Sequence, residues 1–199
     1  MADNLYEYIH KSQVTALNVN PEHEVQSIIK EYAERNTVTP HIESWVDDQL
    51  IVFIPFTTSV KLKAILLGTD NGDLRPSAVK IYSNHPHCPD FEQLDGTACL
   101  QDMSLEATSN ESSGDLVKEY PMRVARFTNV FSIVLFFPSS FGGQNTRIYY
   151  IGFKGEVLTP NKERSDRMRI AASNLGDTPI QHLKQQADGN VASTRNYAA

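Results

Sequence analysis

Cysteine is scarce in this chain: Cys88 and Cys99 are the only two among 199 residues. Two thiols cannot build the disulfide framework that holds small secreted domains together, and no charged leader with an apolar stretch and cleavage site opens the chain, so an intracellular, reducing compartment is expected. Long apolar runs are also lacking. None reaches the roughly 20 residues a helix needs to cross a bilayer, which predicts no membrane partner. Positive charge is in deficit, with 18 Lys and Arg against 24 Asp and Glu for a net charge of −6. A general nucleic-acid binder concentrates cations against phosphates, so that class is excluded as an expectation. The balance shifts along the chain: residues 1–153 hold 11 Lys or Arg against 19 Asp or Glu, and residues 154–199 hold 7 against 5.

What the chain does have is a set of β-rich runs. The densest part is residues 123–155, where Phe127, Val130, Ile133, Val134, Leu135, Phe136 and Phe137 form a block rich in β-branched and aromatic residues that Pro138 ends. Residues 139–145 (SSFGGQN) read as an exposed loop, with Gly142 and Gly143 supplying positive φ. Residues 147–154 follow as a strand apolar on both faces, with Ile148 and Tyr150 on one side and Tyr149, Ile151 and Phe153 on the other, as in the middle of a packed sheet. Residues 49–56 and 60–67 read as two further strands, the second alternating Val60, Leu62 and Ala64 with lysines. Residues 78–82 form another strand, and a turn at 70–73 (DNGD) lies before it.

Helical signal is concentrated in one place. Asn20 as N-cap and Pro21 at the first helical position precede Val25, Ile28, Ile29 and Tyr32 at one-face spacing, which predicts an amphipathic helix over 21–35. Residues 5–19 suit a short turn or docking arm. Residues 85–114 read as surface connections with short edge strands near 99–107. A further strand is expected at 168–172, before a polar stretch from 176 onward that is too poor in apolar residues to order itself. Short strands without alternating helices indicate a sandwich or jelly roll.

Several motifs invite sharper readings. His85, His87 and Cys88 within four residues are zinc-ligand types, but no second ligand cluster accompanies them, so a surface loop is the reading. Neither cysteine shows an activating partner in its local sequence. Asp70, Asp73, Asp90, Glu92 and Asp95 lack the spacing of a calcium loop, and the glycines after Ser139-Ser140 lack the Gly-Lys-Ser/Thr ending of a phosphate loop. Phe141, at the tip of a glycine-flanked loop, suits either a partner anchor or packing back onto the sheet. Trp45 is expected to plug the core, as are Phe127, Phe131, Phe136, Tyr149, Tyr150 and Phe153.

Taken in order, LIVFIPF at 50–56, VKLK at 60–63, RPS at 75–77 leading to the strand through Ile81-Tyr82, RFTNV at 126–130 and YIGFKGE at 150–156 resemble the PITH domain. This is a proteasome-interacting module found at the C-terminal end of certain thioredoxin-like proteins and also as a stand-alone chain. The resemblance runs from about residue 5 to 174, leaving 175–199 as a flexible polar tail. It implies an all-β jelly-roll sandwich of the galactose-binding-like, DOC-like kind, with one short N-terminal helix.

It also implies a non-catalytic adaptor of cytoplasm and nucleus, without cofactor, that binds the proteasome regulatory particle or an associated protein. The alternative on the same fold is a small-ligand, carbohydrate-like binding module using the same loop end. Asp70, Asn71, Asp73, Arg75, His85, His87, Phe141, Gly142 and Gly143 are the candidate partner-binding residues, on loops 70–76, 85–95 and 139–145 assigned to one end of the sandwich. The chain departs from the family pattern in three ways. No Cys-x-x-Cys occurs, so the redox activity of two-domain relatives does not carry over. Trp45-Val46 stand before Asp47-Asp48 where relatives have an acidic run, and segment 21–35 is a local elaboration.

Overall fold

A single 20-residue strand, β3 (Leu50–Thr69), ties the architecture together in a computed structural model that describes residues 3–105 and 116–158. The sequence predicts two strands here, and the structure makes them one. Pro55, which has no N–H to donate, still accepts from the His10 N–H (2.9 Å), and Phe56 and Thr57 stay extended against Ile9 and the Tyr8 carbonyl. The chain therefore stays extended through the bend while it reverses direction, so that Leu50 and Thr69 return to the same end.

That bend makes two layers from one hydrogen-bonded set of eight strands among the described residues. Residues 50–55 of β3 lie between β1 (Thr15–Leu17) and β7 (Val130–Phe137); β7 pairs with β4 (Ala78–Ser83), and β4 with β5 (Gln101–Ser104) at the edge. Residues 60–69 pair instead with β6 (Val117–Pro121) and β8 (Arg147–Val157), and β8 carries the two-residue β2 (Ile42–Glu43) on its outer side. Every pairing is antiparallel. The result is the predicted jelly-roll sandwich, and β5 is the short edge strand expected near 99–107.

Period-2 patterning decides what faces inward. From β3, Leu50, Val52, Ile54, Val60, Leu62, Ile65 and Leu67 meet Ile133, Leu135 and Phe137 of β7 and Ile151 and Phe153 of β8 in the main core. Leu5 and Ile9 of the N-terminal arm also enter it. The opposite face of β3 and β7 presents Ile51, Phe53, Val134 and Phe136 to a second cluster with Tyr82 and Leu94, against which Cys88 and Cys99 pack. The cysteines are free and serve as small apolar groups there.

Three local irregularities break the alternation and correct the expected facings. Between Leu62 and Ala64 the register with β8 shifts, so the core phase passes from Leu62 to Ile65 rather than through Ala64. Tyr149 is the extra residue between the pairs Gly68↔Tyr150 and Thr69↔Ile148; it puts Ile148 on the same side as Ile151 and Phe153 and leaves Tyr150 on the other. Between Val130 and Ser132 a further shift turns Val130 inward and Phe131 outward, 53% exposed, against the expected core position.

The helix predicted over 21–35 does not form. Two 3-10 turns, Val25–Ile28 and Tyr32–Glu34, are separated by Ile29 (φ −88°, ψ 80°) and Glu31 (φ −62°, ψ 152°). Ile28, Ile29 and Lys30 are consecutive and all buried, an arc wider than a helix face provides. Lys30 is drawn in because its ammonium donates to the Thr37 carbonyl (3.0 Å), the Thr37 hydroxyl (3.1 Å) and the Pro40 carbonyl (2.8 Å). The Asn20 signal is real but heads a turn, its side chain accepting the Glu22 N–H (3.0 Å). The α-helix among the described residues is α1 (Phe91–Asp95), capped by Asp90 accepting the Gln93 N–H (2.7 Å), in a stretch the sequence reads as loop. None of the described helices is long and apolar enough to cross a membrane. The strand expected at 168–172 and the tail 175–199 lie outside the described residues.

Tyr150 supplies a pH test of this packing. Burial, with smaller contributions from Tyr32 and Tyr6, pushes its phenol from the usual 10 up to about 12. The fold thus favours the protonated ring: its contribution is complete below pH 10 and is lost as pH rises through 12. Urea midpoints measured from pH 9 upward should fall across that interval, and Tyr150→Phe should flatten the fall. An unchanged slope in the variant would contradict this assignment.

Candidate loop-end site

Antiparallel register gathers the end of β1, both ends of β3, the start of β4, the end of β7 and the start of β8 at one end of the sandwich. Leu17 lies opposite Ile51, Leu50 opposite Phe137, and Thr69 opposite Ile148, while the Ser77 N–H reaches the Ser139 carbonyl (2.8 Å). The connections 43–49, 70–77 and 138–146 consequently form one surface.

Main-chain bonds lock these loops together. The Gly142 and Gly143 N–H groups donate to the Asp73 carbonyl (3.3 and 2.9 Å), the Phe141 N–H to the Arg75 carbonyl (2.9 Å), and the Arg147 N–H to the Leu74 carbonyl (2.8 Å). Neither glycine has the positive φ expected of it. Gly143 is needed for room, since a Cβ there would stand 2.9 Å from Leu74 Cδ2 and 3.0 Å from the Asp73 carbonyl oxygen. The 70–73 turn is closed by Asp70 Oδ1, which accepts from the N–H groups of Asn71 (2.7 Å) and Gly72 (3.2 Å).

Side chains extend the lattice to 43–49. Asp48 Oδ2 accepts the Ser140 N–H (2.8 Å), the Thr146 hydroxyl donates to the Asp48 carbonyl (2.6 Å), and the Thr146 N–H reaches Ser44 Oγ (2.8 Å). Asn18, at φ 63°, accepts the Val46 N–H (3.0 Å) and donates to Asp47 Oδ1 (2.7 Å) and the Gln49 carbonyl (2.6 Å). Arg147 places Nε and Nη2 on Glu43 Oε2 (3.0 and 2.8 Å) and Nη1 3.9 Å from Asp70 Oδ2.

On this bonded base three apolar side chains face solvent: Trp45 at 57%, Val46 at 81% and Phe141 at 52% exposure. Trp45 is not the expected core plug. Its backbone N–H is tied to the Asn18 carbonyl (2.9 Å) while its ring stays outside. Phe141 does not enter the core either; its ring lies 3.8 Å from the Arg75 guanidinium carbon.

The structure thus brings Asp70, Asn71, Asp73, Arg75, Phe141, Gly142 and Gly143 together, and it separates His85 and His87 from them. β4 begins beside Ser139 and ends with Ser83 opposite Ile133, so His85 and His87 follow at the other end of the strand. There the His85 carbonyl accepts from Ser132 Oγ (2.6 Å), and its ring packs edge-on to Tyr82. Burial, helped by His87, lowers the His85 pKa, and burial pushes the Cys88 thiol up. Among the described residues no group of three or more His, Cys, Asp and Glu is placed to hold a metal ion. Asp48, Asn18, Glu43 and Arg147 escape a local reading, since their partners lie 27 to 104 residues away; the polar residues clustered at strand ends are the one hint.

Two clefts lie outside these loops. One of 430 Å³ is lined by Asn4, Tyr6, Glu7, Glu31, Tyr32 and Ala33. Another of 450 Å³ lies beside His23 and His41, whose rings meet edge-on at 4.9 Å.

Known proteins sharpen the picture. The PITH domain family matches residues 1–172. The chain is 35% identical to a PITH domain-containing protein of Drosophila melanogaster over 77% of its own length and 69% of that protein's. It is 33% identical to PITH domain-containing protein 1 of Xenopus laevis, covering 92% and 85% of the two chains, and 31% identical to the Homo sapiens protein of that name, covering 78% and 71%. Among solved structures, the family 32 CBM from C. perfringens NanJ in complex with galactose superposes with a TM-score of 0.54 at 9% identity, covering 76% of this chain and 98% of that one. The C-terminal domain of a chitobiase from Bacteroides fragilis gives 0.52 at 14%, covering 79% and 100%. At such identities the likeness concerns the fold, a galactose-binding-like jelly roll. A match from residue 1 to 172, with identity above 30% across most of several relatives, makes this chain a member of the PITH domain family.

Proposed function

We propose that the chain is a non-catalytic protein-binding adaptor of cytoplasm and nucleus that docks onto the proteasome regulatory particle through the loop end 43–49, 70–77 and 138–146. One observation carries the docking surface: Trp45, Val46 and Phe141 are held in solvent on loops cross-bonded by main-chain N–H groups. Ordering those loops again on binding costs little, and exposed aromatics fixed on a rigid base are the usual anchors of interfaces. The partner class is supported by the PITH kinship. Absence of chemistry is supported by Cys88, whose thiol burial keeps protonated and so a poor nucleophile.

The test is affinity purification of the full chain from cell extract with mass spectrometry. Regulatory-particle subunits should be enriched over a tag-only control, and the double variant Trp45→Ala, Phe141→Ala should reduce that enrichment about tenfold or more. Its thermal midpoint should stay near that of the parent, because both side chains are exposed. A folded bait that enriches no proteasome subunit would refute the proposal. Saturable binding of galactose at Phe141, followed by NMR, would move the assignment to the small-ligand class.

A further inference from the structure

Arg75 is not accounted for by an apolar docking surface. The residue is only 8% exposed, and its Nε is buried with no hydrogen-bond partner among the described residues. Two acids of the same loops are occupied elsewhere. Asp70 closes its own turn and faces Arg147, and Asp48 holds Ser140. One face of the guanidinium is covered by Phe141, with 3.8 Å from the guanidinium carbon to the ring centroid. The Phe141 backbone N–H donates to the Arg75 carbonyl (2.9 Å), so backbone geometry fixes the stack.

A guanidinium stays charged at any physiological pH and carries five N–H donors in a planar fork. Withdrawing such a group from water without an acceptor is costly, and the cost is recovered when an anion of matching geometry arrives. A carboxylate is that anion, because its two oxygens accept two parallel N–H bonds from the fork. The half-exposed ring of Phe141 supplies an apolar wall for the methylenes or backbone that carry it.

We propose that Arg75, stacked under Phe141, is a carboxylate-binding subsite within the docking surface. It receives either an Asp or Glu side chain or the C-terminal carboxylate of the partner protein. The inference rests on the protein-binding reading above, and it names the chemistry by which that surface selects its partner.

The experiment uses the full chain, 15N-labelled, and follows the Arg75 Nε–H resonance during titration with three short peptides. One has an internal Glu and an amidated C-terminus, one has a free C-terminal carboxylate and no acidic side chain, and one has Gln with an amidated C-terminus. Saturable shifts with the first or second peptide, and none with the third, are expected; whichever carboxylate acts identifies its source. Arg75→Gln should weaken binding about tenfold or more, with Arg75→Lys intermediate because an ammonium lacks the fork. If Arg75→Gln fails to fold, Arg75→Lys and the unmodified chain still decide the matter. No shift with either carboxylate, or equal shifts with the neutral peptide, would overturn the subsite. The titration needs no proteasome, so its failure is separable from failure of the purification. Conversely, undiminished proteasome capture by folded Arg75→Gln would discard the subsite while leaving the adaptor reading intact.

Discussion

Gly155→Ala should destabilise the protein by about 3 kcal/mol or more, the upper range for inserting a methyl group where nothing can yield. A Cβ at this position would stand 2.1 Å from the Lys61 carbonyl oxygen, 3.1 Å from the Lys61 carbonyl carbon and 3.0 Å from Leu5 Cδ1. Two of those atoms are backbone, so no side-chain rotation relieves the clash. Gly155 lies opposite Leu62, just before the register shift that carries β3 on against β8, and its N–H donates to the Asp3 carbonyl (2.7 Å). Making room would separate β8 from β3 and release the N-terminal arm. Urea unfolding followed by circular dichroism measures the loss. Gly142→Ala is the control, since a Cβ there meets nothing nearer than Asp73 Oδ1 at 3.6 Å, and its effect should stay within about 0.5 kcal/mol. Equal midpoints for the two variants would mean that β3 and β8 do not approach this closely.

The second large effect belongs to Phe153→Ala, expected to cost about 3–5 kcal/mol through lost burial and the cavity left behind. Phe153 is fully buried, pairs with Ile65 across the ladder, and meets Phe56 edge-to-face with ring centroids 5.5 Å apart. The two rings come from the part of β3 where it changes layers and from β8, so the cavity would open where the sandwich is joined. Phe131→Ala provides the contrast. Patterning assigns both phenylalanines to the core, yet Phe131 is 53% exposed and its truncation should cost about 0.5 kcal/mol or less. Chemical denaturation of both variants decides the point; a large loss at Phe131 would contradict the outward turn at the start of β7.

Much of the sandwich was legible in the residues. β-branched and aromatic runs located β3, β4, β7 and β8, Pro138 marked the end of β7, and the motifs at 50–56, 60–63, 126–130 and 150–156 carried the family. The strands' facings were less legible, because register irregularities change the phase: Tyr149 is one extra residue in β8, and at Phe131 residues 56–59 of β3 stand against a single residue of β7. Segment 21–35 misled for a related reason. Helical spacing of Val25, Ile28, Ile29 and Tyr32 is a local signal, whereas burial of Lys30 on the Thr37 and Pro40 carbonyls is a tertiary demand that a helix cannot meet. Of the candidate site, the 70–73 and 139–145 loops could be anticipated from their turn residues, but not their mutual bonding, nor the departure of His85 and His87 to the far end of β4.

By itself, then, the order of residues determined the all-β class, most of the strands and the kinship, since side-chain volume, branching and period-2 alternation are properties of neighbours in the chain. Only the folded molecule decided which loops share an end, that Trp45 and Phe141 face solvent, and that the Nε of Arg75 is buried without an acceptor. These depend on contacts between segments tens of residues apart, such as Arg75 with Phe141 and Asp48 with Ser140, and antiparallel register, which no local pattern encodes, is what brings them together.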